Sequence, residues 1–135
     1  MNSYKEFIKS FGHPVTSRYS KLFSTIKNYV NDDEVKAFYP KNFFNDNKEK
    51  EFYAFTDKNI FVFRESDMVV TILYFKEVRV EKLQLVQPYN RSEDLQFEVR
   101  LDSDDKFNFD SMKDSNHDWA YQYVDYIKAI YKLLK

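Results

Sequence analysis

An α+β fold, with six or seven antiparallel strands between an N-terminal helical segment and a closing C-terminal helix, is predicted by three observations. Apolar residues recur at helical spacing over the first 31 residues and again over the last 20, while between residues 34 and 110 the period drops to two. Turn-forming clusters divide that middle stretch at meander spacing. The length of 135 residues, 43% hydrophobic and 32% charged, suits one soluble domain whose core needs no disulfide or metal staple.

The N-terminal segment, residues 1–31, reads as two helical pieces packed on the remainder, residues 32–135. Ser3 and Glu6 have capping-box spacing, and Tyr4, Phe7, Ile8 and Phe11 follow at i, i+3, i+4 and i+7. Gly12 and Pro14 end that piece. A second helix starting at Thr16 or Ser17 places Tyr19, Leu22, Phe23, Ile26, Tyr29 and Val30 on one stripe.

The strands follow. Residues 35–39 (VKAFY) form the first, ended by Pro40, and residues 51–55 (EFYAF) the second. After a turn at Thr56-Asp57-Lys58-Asn59, residues 60–63 (IFVF) read as a strand buried on both faces. Residues 68–74 (MVVTILY) are rich in β-branched side chains, and residues 76–86 alternate, with Val78 and Val80 opposite Arg79 and Glu81. Leu95, Phe97, Val99 and Leu101 alternate with polar residues, a hairpin turn follows at residues 102–105, and Phe107 and Phe109 share a face of the last strand. The final helix is capped by Ser115 or Asn116, carries Trp119, Tyr123, Tyr126, Ile127, Ile130 and Leu134 on its stripe, and plugs an open end of the meander.

The run EFYAFTDKNIFVF, followed by VVTILYFKEVRVEKL, the hairpin from LQFEVRL to FNF and the closing amphipathic helix, resembles the bacterial pleckstrin-homology-like domains, a largely uncharacterised group. The resemblance spans roughly residues 34–134, and the N-terminal helices lie outside it. It implies a bent antiparallel pleckstrin-homology-like sandwich or barrel with the C-terminal helix across one mouth. It implies no catalytic residues.

Composition excludes several chemistries. With no cysteine there is no thiol catalysis and no disulfide framework, and a lone glycine rules out a glycine-rich phosphate cradle. A balance of 21 basic against 22 acidic residues, without a basic block, argues against nucleic-acid binding. Charges at Lys5, Glu6 and Lys9 interrupt any leader, and no apolar run is long enough for a membrane helix, so a cytoplasmic location without stable membrane association is expected, and Asn90-Arg91-Ser92 is not read as a glycosylation site. The 19% aromatic content is the bias an AT-rich coding sequence produces, so by itself it does not mark a binding surface.

Phosphoinositide binding needs a local positive excess, and Lys36, Lys41, Lys48 and Lys50 are offset by Asp33, Glu34, Asp46, Glu49 and Glu51. Asp114, His117 and Asp118 would share a helical face as metal ligands or acid–base groups, but their types suit a helix cap. Asp102, Asp104 and Asp105 lack the glycine and the terminal glutamate of a calcium loop. His13 and His117 have no triad partner in sequence. No cofactor and no metal is expected. Tyr53, Tyr74, Tyr89, Tyr121 and Tyr131 are candidates for exposed rings, and Phe61, Phe63, Phe97, Phe107 and Phe109 for core.

The N-terminal stripe then admits two readings: it completes the domain's own core, or Phe7, Phe11, Tyr19, Leu22, Phe23 and Ile26 anchor a protein partner or homodimer. The function expected is a non-enzymatic protein-interaction module working through those helices or through an open sheet edge. The alternative is a small-molecule or lipid-headgroup sensor with a pocket near Phe43, Phe44 and residues 88–92, and the third reading is a hydrolase or metal enzyme.

Overall fold

The computed structural model describes residues 4–11, 20–45 and 48–135. Two antiparallel sheets form the body. The first has order β1-β2-β3-β4, from Ala37–Lys41, Lys50–Phe55, Ile60–Ser66 and Val69–Phe75. The second has order β5-β6-β7, from Val80–Val86, Gln96–Leu101 and Lys106–Asp110. Helices α1 (Tyr4–Phe11) and α2 (Ser20–Tyr29) precede them, and α3 (Ala120–Leu134) closes the chain. The sheets stay separate, so of the two expected forms the molecule is the sandwich and not a closed barrel.

Register explains which side chains meet, because opposed residues share a face. Tyr39, Tyr53 and Val62 lie in one row and Phe55 and Ile60 in the next, all on the inner face. From the second sheet Phe109 meets them, 4.5 Å from Tyr39 and 4.9 Å from Tyr53 between ring centres. The other face carries Phe38, Ala54 and Phe61, then Pro40, Phe52 and Phe63. An antiparallel sheet ordinarily wets one such face. Here α1 and α2 cover it. Phe7 sits among Phe23, Phe38, Phe43, Phe52 and Tyr126, with centroids 5.2 to 6.3 Å away.

Helix α3 runs along β1. Tyr123 packs on Tyr39 at 5.2 Å and Tyr126 on Phe38 at 4.7 Å, so the helix touches both faces of the strand it flanks. The first strand does not stop before Pro40, as expected, but runs through it to Lys41. Proline has no N–H to donate and is tolerated at a sheet edge, and the Pro40 carbonyl accepts a hydrogen bond from the Tyr123 hydroxyl. Residues 76–79 also differ from expectation. Glu77 has φ 51° and Val78 N–H reaches Lys58 O at 2.8 Å, so this stretch is a crossing between sheets and β5 begins only at Val80.

Contrary to the sequence expectation, neither Ser115 nor Asn116 caps α3: the N-cap is Trp119, without a side-chain cap hydrogen bond, and Asn116 instead closes the turn before the helix, its side chain accepting the Trp119 N–H at 3.0 Å. The cap at Ser3, the stop at Gly12 and Pro14, the helix start at Thr16 or Ser17, and His13, Tyr19 and Asp46 lie outside the described residues.

Candidate functional site

Among the described residues the two sheets have four edges, and three are protected. The outer side of β1 is flanked by α3. On β7 the Lys41 ammonium donates to the Asn108 carbonyl. Strand β5 carries Glu81 and Lys82 and a register irregularity between Val80 and Lys82, the charges and bulge that ordinarily blunt an edge. Strand β4 has none of these. Its seven residues, VVTILYF, contain no charge and no proline, its pairing with β3 is regular throughout, and among the described residues no second strand pairs with it.

The side chains at this edge are unusually apolar for a wet surface. Met68 is 91% exposed, Val69 61% and Tyr74 51%, with Thr71 exposed between them. Asp67 and Met68 form the hairpin tip with φ values of 50° and 65°. Aspartate tolerates that region, whereas a methionine there costs of order 1–2 kcal/mol relative to glycine. The chain thus holds a large apolar side chain in water at a strained position beside an open edge.

A second feature is a cleft of about 400 Å³ where the β1–β2 connection overhangs the polar face of the second sheet. Lys41, Asn42, Lys48 and Lys113 face Gln84, Gln96, Glu98, Asn108 and Asp110 across it. At its base Asp114 is only 4% exposed. Its carboxylate accepts the Tyr39 hydroxyl at 2.8 Å and the Asp110 N–H at 2.7 Å, with Lys41 Nζ 3.8 Å away. Burial pushes the Asp114 pKa up, and this outweighs the lowering by Lys41 and by the two hydrogen bonds. These contacts tie β1 to the turn after β7. Asn42, at φ 67°, donates Nδ2 to Glu49 O at 3.2 Å, while its Oδ1 is buried with no hydrogen-bond partner among the described residues.

The sites expected from sequence fare unequally. Phe7, Leu22 and Ile26 are fully buried and Phe23 nearly so, all within the core. Of the two readings of that stripe, the burial of these four residues fits the one that completes the domain's own core. Tyr19 and the Phe11 side chain lie outside the described residues, and Tyr29, placed on the same stripe, is exposed.

Asp114 does not join His117 and Asp118 on a helical face. The helix begins only at Ala120, Asp114 turns inward, and the other two are exposed. Among the described residues no three His, Asp or Glu side chains come together in a way that would hold a metal ion. Lys36 and Lys41 flank opposite ends of β1, roughly 16 Å apart at strand rise, and Lys50 is buried with its ammonium on the Asn45 carbonyl, so the four lysines do not converge. The rings of Phe44 and Trp119 stack at 5.0 Å, Phe43 is buried in the core, and Tyr89 in the loop after β5 is exposed. Tyr74, Tyr89 and Tyr121 are exposed, but Tyr53 is core and Tyr131 packs at 6.0 Å on Phe97.

The fold and its surfaces define a two-sheet α+β domain with an open, uncharged edge. The family model described as Protein of unknown function (DUF3908) matches residues 2–125, and the chain belongs to that family. No curated protein and no solved structure matches the chain. No helix among the described residues is long and apolar enough to cross a membrane.

Proposed function

We propose that this chain is a non-enzymatic, cytoplasmic protein-interaction module that takes its partner by strand addition to β4. One observation carries the reading: of four sheet edges, β4 alone lacks a cover, a charge or a bulge among the described residues. Such an edge offers unpaired N–H and C=O groups to an extended segment, while side chains on alternate positions select it. The order of four strands, three strands and a terminal helix on β1 supports a pleckstrin-homology-like ancestry, to which the N-terminal helices are an addition.

The test compares proteins recovered from cell extract on the wild-type chain and on the double variant Val69→Lys, Tyr74→Lys. Both positions are exposed, so circular dichroism should be unchanged while partners are lost, with a small fall in Tm from the Phe61 ring contact that Tyr74 gives up. Partners retained in full by the double variant would overturn the reading.

The amides and ammonium groups that converge on the cleft, from Asn42, Gln84, Gln96, Lys41 and Lys113, favour a second reading, a small polar ligand there. Binding there would raise Tm by mass action, and Asn42→Ala would abolish the shift. A screen of polar metabolites that leaves Tm fixed removes it.

A further inference from the structure

Resting on the reading of β4 as the interaction edge, we infer that its occupant is a second copy of this chain, paired antiparallel about a two-fold axis through Thr71. A two-fold perpendicular to the sheet brings like faces together, so opposed positions must have equal parity. Only a few centres are then allowed, and the residues decide among them.

Centred on Thr71, Met68 opposes Tyr74 of the second copy, Val69 opposes Leu73, Val70 opposes Ile72, and the two Thr71 face each other. The most exposed side chains of the edge, Met68 and Tyr74, thus cover one another, in the sulfur–aromatic pairing that methionine favours. β-Branched residues occupy several of the remaining places, and Thr opposite Thr is a favourable cross-strand pair. Beyond the strand Ser66 meets Lys76 and Glu65 meets Glu77. Centred one residue later, on Ile72, the same edge opposes Asp67 to Glu77 and leaves Met68 against Lys76. Centred on Leu73, Val70 meets Lys76 and Met68 has no cross-strand partner within the turn. The charges do not separate the Thr71 and Ile72 registers, but the Thr71 register alone sets the two most exposed side chains of the edge, Met68 and Tyr74, against each other.

Self-complementarity is what distinguishes a second copy from an arbitrary strand, since an isologous contact needs one patch to match itself. With a formal net charge of −1, the two chains do not repel at long range. The joined sheets form one continuous eight-stranded sheet. In this register the strained Met68, with φ 65°, is also the residue set against Tyr74 of the second copy.

The natural chain has no cysteine, which makes the register directly measurable. Opposed residues in an antiparallel pair have Cα atoms about 4.5 or 5.5 Å apart, within disulfide range. Thr71→Cys should therefore form a disulfide-linked dimer under mild oxidation. Val69→Cys should not, since the two copies of residue 69 lie roughly 13 Å apart along the strands. Sedimentation of the wild-type chain from micromolar to near-millimolar concentration should show growth from 16.5 kDa toward twice that mass. The Val69→Lys, Tyr74→Lys variant should stay at the lower mass with unchanged circular dichroism.

A wild-type chain that remains monomeric across the whole range overturns the homodimer. So does a dimer in which Val69→Cys cross-links as readily as Thr71→Cys. If the wild type is monomeric yet the double lysine variant loses partners from cell extract, strand addition survives and only the second copy is wrong. If it is monomeric and the variant loses nothing, both fall.

Discussion

The Asp114 cluster provides the sharpest test of how the two sheets are joined. Replacing Asp114 by Ala leaves the Tyr39 hydroxyl, buried in the core, without its acceptor. An orphaned buried donor costs about 1–3 kcal/mol. The Asp110 N–H also loses its partner but is only half-buried, so its share is toward the low end, on the order of 1 kcal/mol. Loss of the Lys41 pair at 3.8 Å adds little, because Lys41 keeps the Asn108 carbonyl. Against this stands relief of the burial cost that pushes the Asp114 pKa up. The net expectation is a loss of about 3 kcal/mol, or a fall in Tm of roughly 10 °C for a chain of this length.

Tyr39→Phe should cost about 1–2 kcal/mol, since Asp114 keeps its other partners. Both changes break one shared bond, so the double variant should fall short of the sum by roughly 1–2 kcal/mol. The measurement is urea unfolding of the four proteins, followed by fluorescence. pH supplies a second, independent readout. The folded Asp114 pKa lies above its ordinary 3.8, so the native state binds this proton more tightly than the unfolded chain. Wild type therefore gains stability on this group's account as pH falls through the raised pKa toward 3.8, and the gap to Asp114→Ala should widen there. An additive cycle, or a gap that narrows on acidification, would refute the account of a buried carboxylate serving as a brace.

Three further outcomes can be measured. Phe7→Ala removes the ring that α1 inserts among five others and should cost about 3–5 kcal/mol in chemical unfolding, with any smaller loss meaning the helix is peripheral. Burial holds the hydroxyls of Tyr4, Tyr39, Tyr53 and Tyr126 well above the ordinary tyrosine value, so these stay protonated in the fold while the unfolded chain ionises above pH 10. Stability should then drop by about 1.4 kcal/mol per pH unit for each, about 5.5 kcal/mol per pH unit for the four together, and alkaline unfolding that is shallow above pH 11 would contradict their burial. Met68→Gly relieves a positive φ and should stabilise the monomer by about 0.5–1 kcal/mol while weakening association at β4; a destabilised monomer would mean the Met68 side chain packs within its own domain.

Much of the fold was legible because hydrophobic period reports burial directly. Leu95, Phe97, Val99 and Leu101 alternate in sequence and all point into the core, and the helical stripe through Tyr123, Tyr126, Ile127 and Ile130 is buried along its length. Pro40 misled because local propensity is blind to which side of a strand lies open, and that side is the flank taken by α3. Val78 and Val80 alternate correctly, yet residues 76–79 cross between sheets, since period alone does not say where pairing stops. Asp114 read as a cap because its neighbours are polar. Its inward turn depends on Tyr39, 75 residues earlier, and no local window contains that pair. The edge status of β4 is equally non-local: residues 68–74 look like any β-branched strand until sheet order is known.

The same non-locality links the N-terminal helices to β4. Strands β2 and β3 are apolar at both parities, so the first sheet needs cover on two faces. The second sheet supplies one, and α1 and α2 supply the other over Phe38, Phe52 and Phe63, all buried. Across the same face the cover thins, with Val70 and Ile72 half-buried and Tyr74 exposed against Phe61 at 4.6 Å. Among the described residues the strand least covered by helix is thus also the one whose edge is unpaired. A sheet that needed only to be buried would have extended its helical cover or placed a lysine on β4, as β5 does with Lys82. Leaving both the edge and its flank apolar is the arrangement that a joining strand requires, since backbone pairing and side-chain cover are then completed in a single contact.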